Sequence, residues 1–284
     1  MKPAPFEYFR PGSLSEALSL LADGGDECKI LAGGQSLVPA MNFRLARPTT
    51  LIDINDLHEL AYVRTNSETL SIGALTRHAA FHQPVVDGPL GLLLSKVVQH
   101  IAHYPIRQRG TFGGSLAHAD PASEWCLLVS TLGAEIVAKS VRGERVIASE
   151  AFFKGTFSTN LTADELLVEI RLPVMANNWR AGFYEFSRRA GDFALGMALA
   201  ALRIEDGVVQ EARLGVGGVS DRAIRLEALE HRLVGKPASP EAIQATATAA
   251  RASIDPTSDI HASSEYRRDL IATVVKRALI EAAG

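Results

Sequence analysis

The sequence has few cysteines, and this scarcity excludes metal clusters held by this chain alone. Only two of its 284 residues are cysteines, Cys28 and Cys126. An iron–sulfur cluster is normally held by four cysteines, and two cysteines also form no zinc-binding pattern. Both lie in apolar segments, so we expect buried, reduced thiols.

Long apolar runs and an excess of positive charge are also absent. The formal net charge of −3 provides no basic surface for a nucleic acid. No run of about 18 apolar residues occurs, so we expect no transmembrane segment. The start of the chain, MKPAPFEYFRPGS, lacks the apolar core of a signal peptide. These features predict a cytoplasmic globular protein.

Short strand and helix patterns alternate irregularly over the first part of the chain. Strands are predicted at 29–31, 51–54, 70–73, 135–139, 145–148 and 166–172. Helices are predicted at 13–22, 38–45, 76–82, 90–103 and 121–132, the first with a capping box of Ser13 and Glu16. Because strand and helix do not alternate in a strict βαβ order, we expect an α+β fold rather than a doubly wound sheet.

The pattern changes near residue 177, and this change predicts a domain boundary. Strands are predicted at 183–188, 194–204 and 208–216, with the hairpin turn Asp206-Gly207 between the last two. Helices are predicted at 222–234, 240–253 and 264–282. We therefore expect one domain over 1–176 and a second over 177–284, the latter a three-stranded antiparallel sheet with helices.

Two glycine-rich segments carry the clearest chemical signal. In the first, a short apolar strand leads through Gly33-Gly34 to a helix start, and Ser36 adds a hydroxyl. Such a turn allows backbone N–H groups to approach a phosphate. In the second, Gly113-Gly114 precede a helix start expected at Asp120-Pro121. Two such segments suit the pyrophosphate of a dinucleotide, whereas the alternative is that both are simple tight turns. A side chain at Gly33 or Gly114 is expected to fill the space that the phosphate needs.

Three sequence segments together resemble one protein family. Residues 32–48 (AGGQSLVPAMNFRLARP), 111–121 (TFGGSLAHADP) and 188–194 (RRAGDFA) are similar to segments of the FAD-binding medium subunits of molybdenum hydroxylases. This family includes subunits of carbon monoxide, nicotine and caffeine dehydrogenases and the FAD domain of xanthine dehydrogenase. The resemblance extends over essentially the whole chain.

The resemblance implies a fold and a set of site residues. The fold is an FAD-binding domain of the vanillyl-alcohol-oxidase (PCMH) type, with lobes at about 1–55 and 56–176, followed by a carbon monoxide dehydrogenase-type C-terminal domain. It implies no catalytic residue and no metal ligand in this chain. The implied FAD-binding residues are Ala32, Gly33, Gly34, Gln35, Ser36, Leu37, Ile101, Ala102, Thr111, Gly113, Gly114, Ser115, His118, Asp120, Leu167 and Phe193.

Several residues depart from the family pattern or allow more than one interpretation. Ser115 replaces an asparagine common in the family, and Glu185 stands where the carbon monoxide enzyme has a lysine. His118 is expected to be structural rather than a proton shuttle. His78 is expected to be exposed to solvent. His100 and His103 are spaced like metal ligands, but no carboxylate or thiol joins them in sequence, so we expect no metal site. Whether Glu185, Arg188 or His78 contacts the flavin stays open.

The resemblance also implies partners. In the family, a large subunit carries the molybdopterin cofactor and a small subunit carries two [2Fe–2S] clusters, usually in a dimer of heterotrimers. FAD in the medium subunit passes electrons to an external acceptor. The alternatives are a free-standing FAD-dependent oxidoreductase and a scaffold that has lost FAD, against which the intact glycines argue. Oxidation of purines, N-heterocycles or carbon monoxide all stay open, and residues 191–193 and Glu185 favour enzymes that act on N-heterocycles or aromatic compounds.

Overall fold

Within residues 2–284, the computed structural model contains three main β-sheets and one two-stranded ribbon. The strands are β1 Glu7–Phe9, β2 Cys28–Leu31, β3 Thr50–Asp53, β4 Val63–Thr65, β5 Thr69–Gly73, β6 Glu135–Ser140, β7 Gly143–Ala148, β8 Phe153–Gly155, β9 Ser158–Thr159, β10 Leu166–Pro173, β11 Trp179–Ser187, β12 Ala194–Glu205, β13 Val208–Gly217 and β14 Ile224–Arg225. The helices are α1 Leu14–Gly24, α2 Leu37–Asn42, α3 Pro89–Val97, α4 Tyr104–Arg107, α5 Phe112–His118, α6 Glu124–Leu132, α7 Ser149–Phe152, α8 Glu227–Leu233, α9 Pro240–Ser253 and α10 Ser264–Ala283.

The first sheet is small and parallel, with the strand order β1-β3-β2. Helix α1 packs on it through Leu18 and Leu21, which join Ile52 in one hydrophobic core. The same core includes Val137 of β6 and Leu166 of β10. The first sheet and helix α1 are therefore packed against a face of the next sheet, at its inner strands β6 and β10.

The second sheet has five antiparallel strands in the order β4-β5-β10-β6-β7. Its core is built around Trp125 of α6, which has no exposed surface. The Trp125 ring stacks on Phe112 with centroids 4.6 Å apart and meets Phe81 edge-on at 5.4 Å. Burial of large aromatic side chains contributes strongly to core stability. This cluster fixes α5 and α6 at the centre of the chain.

The third sheet is antiparallel, with the order β11-β12-β13-β14. Strand β12 is buried on both faces: Met197 and Leu199 belong to the core of the second lobe, whereas Ala198 and Leu202 face the helices of the C-terminal part. This explains why β12 is a nearly continuous apolar run rather than an alternating one.

The C-terminal sheet therefore has four strands, not the three predicted. The added strand, β14, is only two residues long and pairs with β13 at Gly215 and Val216. Such a short segment has no periodicity that a sequence pattern could reveal. Because 224–225 is a strand, helix α8 begins at Glu227 and not at residue 222.

The chain between residues 90 and 125 also differs from the prediction. The apolar helix expected over 90–103 ends at Val97, and Ala102 has a left-handed φ of 43°. The glycine-rich segment expected to be a loop forms α5, and the helix expected from Pro121 begins at Glu124 with Ser123 as its cap. Glycine disfavours helices in isolation, so tertiary packing overrides local propensity in α5.

Other predictions are confirmed. The α+β class holds, Asp206 and Gly207 form the hairpin turn with φ of 51° and 75°, and α9 spans the predicted 240–253. At α1, the Ser13 hydroxyl caps the N–H of Glu16 at 3.2 Å, but the Glu16 carboxylate accepts from Gly12 and not from Ser13. Among residues 2–284, no helix is long and apolar enough to cross a membrane.

Candidate functional site

A cavity of about 710 Å³ is lined by residues around the first sheet, by residues around the second sheet and by the β11–β12 connection. All the site residues predicted from sequence line it: Ala32, Gly33, Gly34, Gln35, Ser36, Leu37, Ile101, Ala102, Thr111, Gly113, Gly114, Ser115, His118, Asp120, Leu167 and Phe193. Ligand sites usually enclose about 300–1,000 Å³, so the cavity is large enough for a sizeable cofactor. The fold thus brings together residues that are far apart in sequence.

The first glycine segment presents a row of free backbone donors. The N–H groups of residues 33–37 donate to no acceptor within the described chain. The carbonyls, by contrast, are held: Asn55 donates to the Ala32 carbonyl oxygen and the Gln35 amide to that of Gly33, both at 2.8 Å. A run of adjacent N–H groups before a helix is the backbone arrangement that binds phosphate.

Glycine is required at both positions of this turn, for different reasons. Gly34 has a φ of 71°, which favours glycine. A Cβ on Gly33 would lie 2.7 Å from the Cα of Gly110 and would also meet the Arg109 carbonyl. A side chain at Gly33 would therefore collide with the neighbouring backbone. The expectation that it would fill the space needed by the phosphate is wrong.

The second glycine segment works differently from the first. The N–H groups of Phe112 and Gly113 donate to Thr76 and Ala74 carbonyls, and that of Gly114 donates to the Thr111 hydroxyl at 3.0 Å. These three N–H groups therefore donate within the protein and are not available to a ligand. The donors that this segment can present to the cavity are the hydroxyl groups of Thr111 and Ser115.

The middle of the cavity is walled by Ile101 and Ala102. Their carbonyl oxygens accept from one guanidinium nitrogen of Arg107 at 2.8 and 2.7 Å, and a second nitrogen of Arg107 donates to His82 at 3.0 Å. Arg107 is largely buried, so these bonds replace hydrogen bonds to water that its guanidinium group has lost. They hold the left-handed turn at Ala102 that ends the preceding helical stretch.

The remaining predicted residues lie around the cavity opening. His118 stacks on Phe157 with ring centroids 4.8 Å apart, and burial lowers the pKa of His118. The Asp120 carboxylate accepts from the N–H of Ala122 at 2.8 Å, so it closes a turn and does not cap α6. The Phe193 side chain is 71% exposed. An aromatic ring so exposed beside a cavity is available to cover a bound planar group.

His78 also lines the cavity, and the expectation of an exposed side chain is wrong. Its side chain is only 4% exposed, and its Nδ1 accepts from the indole N–H of Trp125 at 3.0 Å. Burial, followed by the charges of Arg107 and Arg77, lowers the pKa of His78 to about 4. The sequence left open whether His78 contacts the flavin, and its burial could not be predicted because residues 78–82 form a short 3₁₀ turn and not the helix predicted over 76–82.

Two carboxyl groups lie near the cavity: the sequence did not point to Glu124, and it left open whether Glu185 contacts the flavin. Glu124, at the start of α6, lines the cavity, and burial raises its pKa to about 7. Glu185 of β11 lies outside the cavity lining, with its side chain only 3% exposed. Burial and the charge of Glu124 raise the pKa of Glu185 to about 9. Its Oε2 has no hydrogen-bond partner among residues 2–284 and is 3.9 Å from the Nδ1 of His100.

Among residues 2–284, no group of three or more histidine, cysteine, aspartate and glutamate side chains is arranged to hold a metal ion, and this includes the surroundings of His100 and His103. Cys28 and Cys126 are both buried free thiols, as expected.

The cavity therefore has the features of a nucleotide-binding flavoprotein site. It combines a row of free N–H groups for phosphates, the hydroxyl groups of Thr111 and Ser115, and an exposed aromatic ring. A Cβ at Gly33 would collide with the backbone of Arg109 and Gly110, and a Cβ at Gly110 would collide with the His78 ring. Both positions therefore require glycine. These residues fit a dinucleotide cofactor such as FAD.

Comparisons with known proteins agree with this class. Residues 4–175 match the family model described as FAD binding domain in molybdopterin dehydrogenase, and residues 181–282 match the CO dehydrogenase flavoprotein C-terminal domain. The 6-hydroxypseudooxynicotine dehydrogenase complex subunit alpha of Paenarthrobacter nicotinovorans is 43% identical, over 99% of this chain and 96% of that protein. The caffeine dehydrogenase subunit beta of Pseudomonas sp. strain CBB1 is 41% identical, over 100% and 96%.

A solved structure shows the same fold. The carbon monoxide dehydrogenase of Hydrogenophaga pseudoflava superposes with a TM-score of 0.95 at 37% identity, covering 99% of this chain and 98% of that one. The chain belongs to the family of FAD-binding subunits of molybdopterin dehydrogenases. It is accordingly a flavoprotein subunit of the molybdenum-containing dehydrogenases and hydroxylases, which are oxidoreductases.

Proposed function

We propose that this chain is the electron-transfer subunit of a heterotrimeric molybdenum hydroxylase in the cytoplasm. In this role it takes electrons from two [2Fe–2S] clusters of a small partner subunit and passes them to an external acceptor. The large partner subunit carries the molybdopterin cofactor and selects the substrate, and two heterotrimers form a dimer. The observation that carries this assignment is the cavity itself, in which every predicted FAD-binding residue lines one wall or another.

Within the cavity, we assign the pyrophosphate to the free N–H groups of residues 33–37 and to the hydroxyls of Thr111 and Ser115. Phe193, Leu167 and Ile101 line the same cavity and would shield the flavin ring from water. When bound, the flavin supplies the redox chemistry, since it exchanges electrons singly or in pairs. The protein supplies binding, orientation and a low-dielectric wall.

The assignment of the iron–sulfur clusters to a partner subunit rests on the cysteines of this chain. Its two cysteines are buried, 98 positions apart in sequence, and cannot ligate clusters. The family-model matches meet between residues 175 and 181, and we propose the domain limit at 176/177, with lobes at about 1–55 and 56–176. A whole-chain likeness to subunits of multi-subunit enzymes supports obligatory partners.

One observation favours the alternative of a free-standing FAD-dependent oxidoreductase. Such an enzyme needs an acid beside the flavin, and Glu124 is a cavity carboxyl whose pKa is raised to about 7 by burial. The match of the entire chain to medium subunits outweighs this single group.

Purification of the tagged chain from its native host tests the assignment. We expect two further polypeptides to co-purify, together with molybdenum, the iron of two [2Fe–2S] clusters and one FAD per copy of this chain. Substrate added without an acceptor should bleach the flavin absorption together with that of the clusters. A yellow protein that purifies alone would favour the free-standing enzyme and contradict the proposed assembly.

A further inference from the structure

His78 is held in one orientation by bonds on two sides. Its backbone N–H donates to the Gly110 carbonyl at 3.0 Å. Its Nδ1 accepts from the indole N–H of Trp125 at 3.0 Å, and that indole is locked in the aromatic core with Phe112. The imidazole is therefore as rigid as the core that supports it.

These bonds also fix which nitrogen carries the proton. A neutral imidazole has one donor and one acceptor nitrogen, and an indole nitrogen can only donate. Since Nδ1 of His78 accepts from Trp125, the hydrogen must be on Nε2. The lowered pKa of His78 keeps the ring neutral through the physiological range. His78 thus presents a permanent N–H donor at Nε2.

This Nε2–H group has no acceptor among residues 2–284. The ring lines the cavity, and its Cδ2–Nε2 edge packs against Gly110, where an added Cβ would lie 2.6 Å from Nε2. Gly110 in turn touches Gly33, so His78 lies where the two glycine segments converge. Nε2 is not fully enclosed by the protein, so an oxygen atom of a ligand in the cavity can accept its hydrogen.

We propose that the Nε2–H of His78 donates a hydrogen bond to a pyrophosphate oxygen of FAD. This role rests on the proposed function, because it requires FAD in the cavity. It adds a neutral donor to the backbone N–H groups of residues 33–37, and the donor persists at every pH at which the protein is folded and His78 is neutral. Trp125 acts as a positioning residue that selects the tautomer.

A pair of isosteric variants separates the two nitrogens of the ring. In His78→Asn, the amide oxygen can replace Nδ1 and keep the bond from Trp125, but the donor at the Nε2 position is lost. In His78→Gln, the amide nitrogen can reach the Nε2 position and restore that donor. FAD affinity is measured by titration of the full-length, FAD-depleted chain, and the melting temperature of each FAD-free variant is recorded beside it.

We expect His78→Asn to bind FAD about 10- to 100-fold more weakly than the native chain, and His78→Gln to recover most of that loss. The ³¹P resonances of bound FAD should shift between the native chain and His78→Gln, because the donor to the phosphate changes. Equal FAD affinity in His78→Asn and the native chain would overturn the role of His78 alone. The role of His78 would also be overturned if His78→Asn and His78→Gln weakened FAD binding equally while their melting temperatures stayed unchanged. A native chain that binds no FAD would instead refute the proposed function.

Discussion

Replacement of Gly33 by valine is expected to produce a protein that retains no FAD. A Cβ at this position would lie 2.7 Å from the Cα of Gly110 and would also collide with the Arg109 carbonyl. Both obstacles are backbone atoms, which cannot rotate away as a side chain can, so the whole turn of residues 32–36 must move. That movement would misalign the N–H groups of residues 33–37, on which phosphate binding depends in our assignment.

Overpacking of this kind also destabilises a protein by about 1–3 kcal/mol, so FAD content and thermal stability are both to be measured. Gly155→Ala is a suitable control, because the added methyl group would meet only the Asp221 carboxylate at an ordinary 3.4 Å. Gly114→Ala should give an intermediate result, since its Cβ would displace only the capping hydroxyl of Thr111. Normal flavin content in a folded Gly33→Val protein would refute the assignment of the phosphate site.

Replacement of Glu185 by glutamine is expected to stabilise the protein increasingly as the pH rises from about 5 to 9. Glu185 is buried with an unpartnered carboxyl oxygen, and its pKa is raised to about 9 by burial and by the charge of Glu124. In the unfolded chain this group ionises near its ordinary pKa of about 4.3. Between these two values the folded state holds a proton that the unfolded state has released.

The sign follows directly from proton linkage. Because the folded state binds more protons, the free energy of unfolding falls as the pH rises, by at most about 1.4 kcal/mol per pH unit for one proton. The glutamine amide does not ionise in this pH range. The free energy of unfolding of the variant should therefore not fall in this way as the pH rises. His100, Glu124 and the Lys96–Glu281 ion pair surround the site and will broaden the transition.

Urea unfolding of the FAD-free full-length chain at several pH values measures this difference. Glu59→Gln, at an exposed carboxylate, controls for the loss of one formal charge. Parallel stability curves for Glu185→Gln and the native protein would show that Glu185 is ionised in the folded state, contrary to our expectation.

The parts of the fold that sequence reasoning predicted correctly are those specified by local chemistry. Helix α9 has Ser239 as its N-cap and Pro240 in its first turn, and both signals lie within a few residues of the helix start. The Asp206-Gly207 turn likewise needs only two residues that tolerate positive φ. Such elements can be predicted because distant contacts do not change them.

The errors occurred where distant contacts decide the structure. Residues 112–118 form a helix despite two glycines, because Phe112 enters the aromatic core and Gly113 packs against Ala74. The apolar helix beginning at Pro89 ends at Val97, and tighter turns follow it up to Ile101, where Arg107 binds the carbonyls of Ile101 and Ala102. No local pattern contains this information.

The site shows the same contrast. Its glycine segments could be recognised from sequence, whereas the difference between them could not. Only the structure shows that residues 33–37 keep their N–H groups free while those of Gly113 and Gly114 are consumed. Likewise, His78 and Glu124 enter the site through the folding of the second lobe and not through any motif.

An electron-density map of the FAD-loaded protein tests the central claim most directly. We expect density for one FAD in the cavity between the two lobes, with its pyrophosphate within hydrogen-bond distance of the N–H groups of residues 33–37 and of Nε2 of His78. Phe193 should lie over the flavin ring. Clear FAD density elsewhere, or a cavity that stays free of FAD while the protein binds it, would contradict the account.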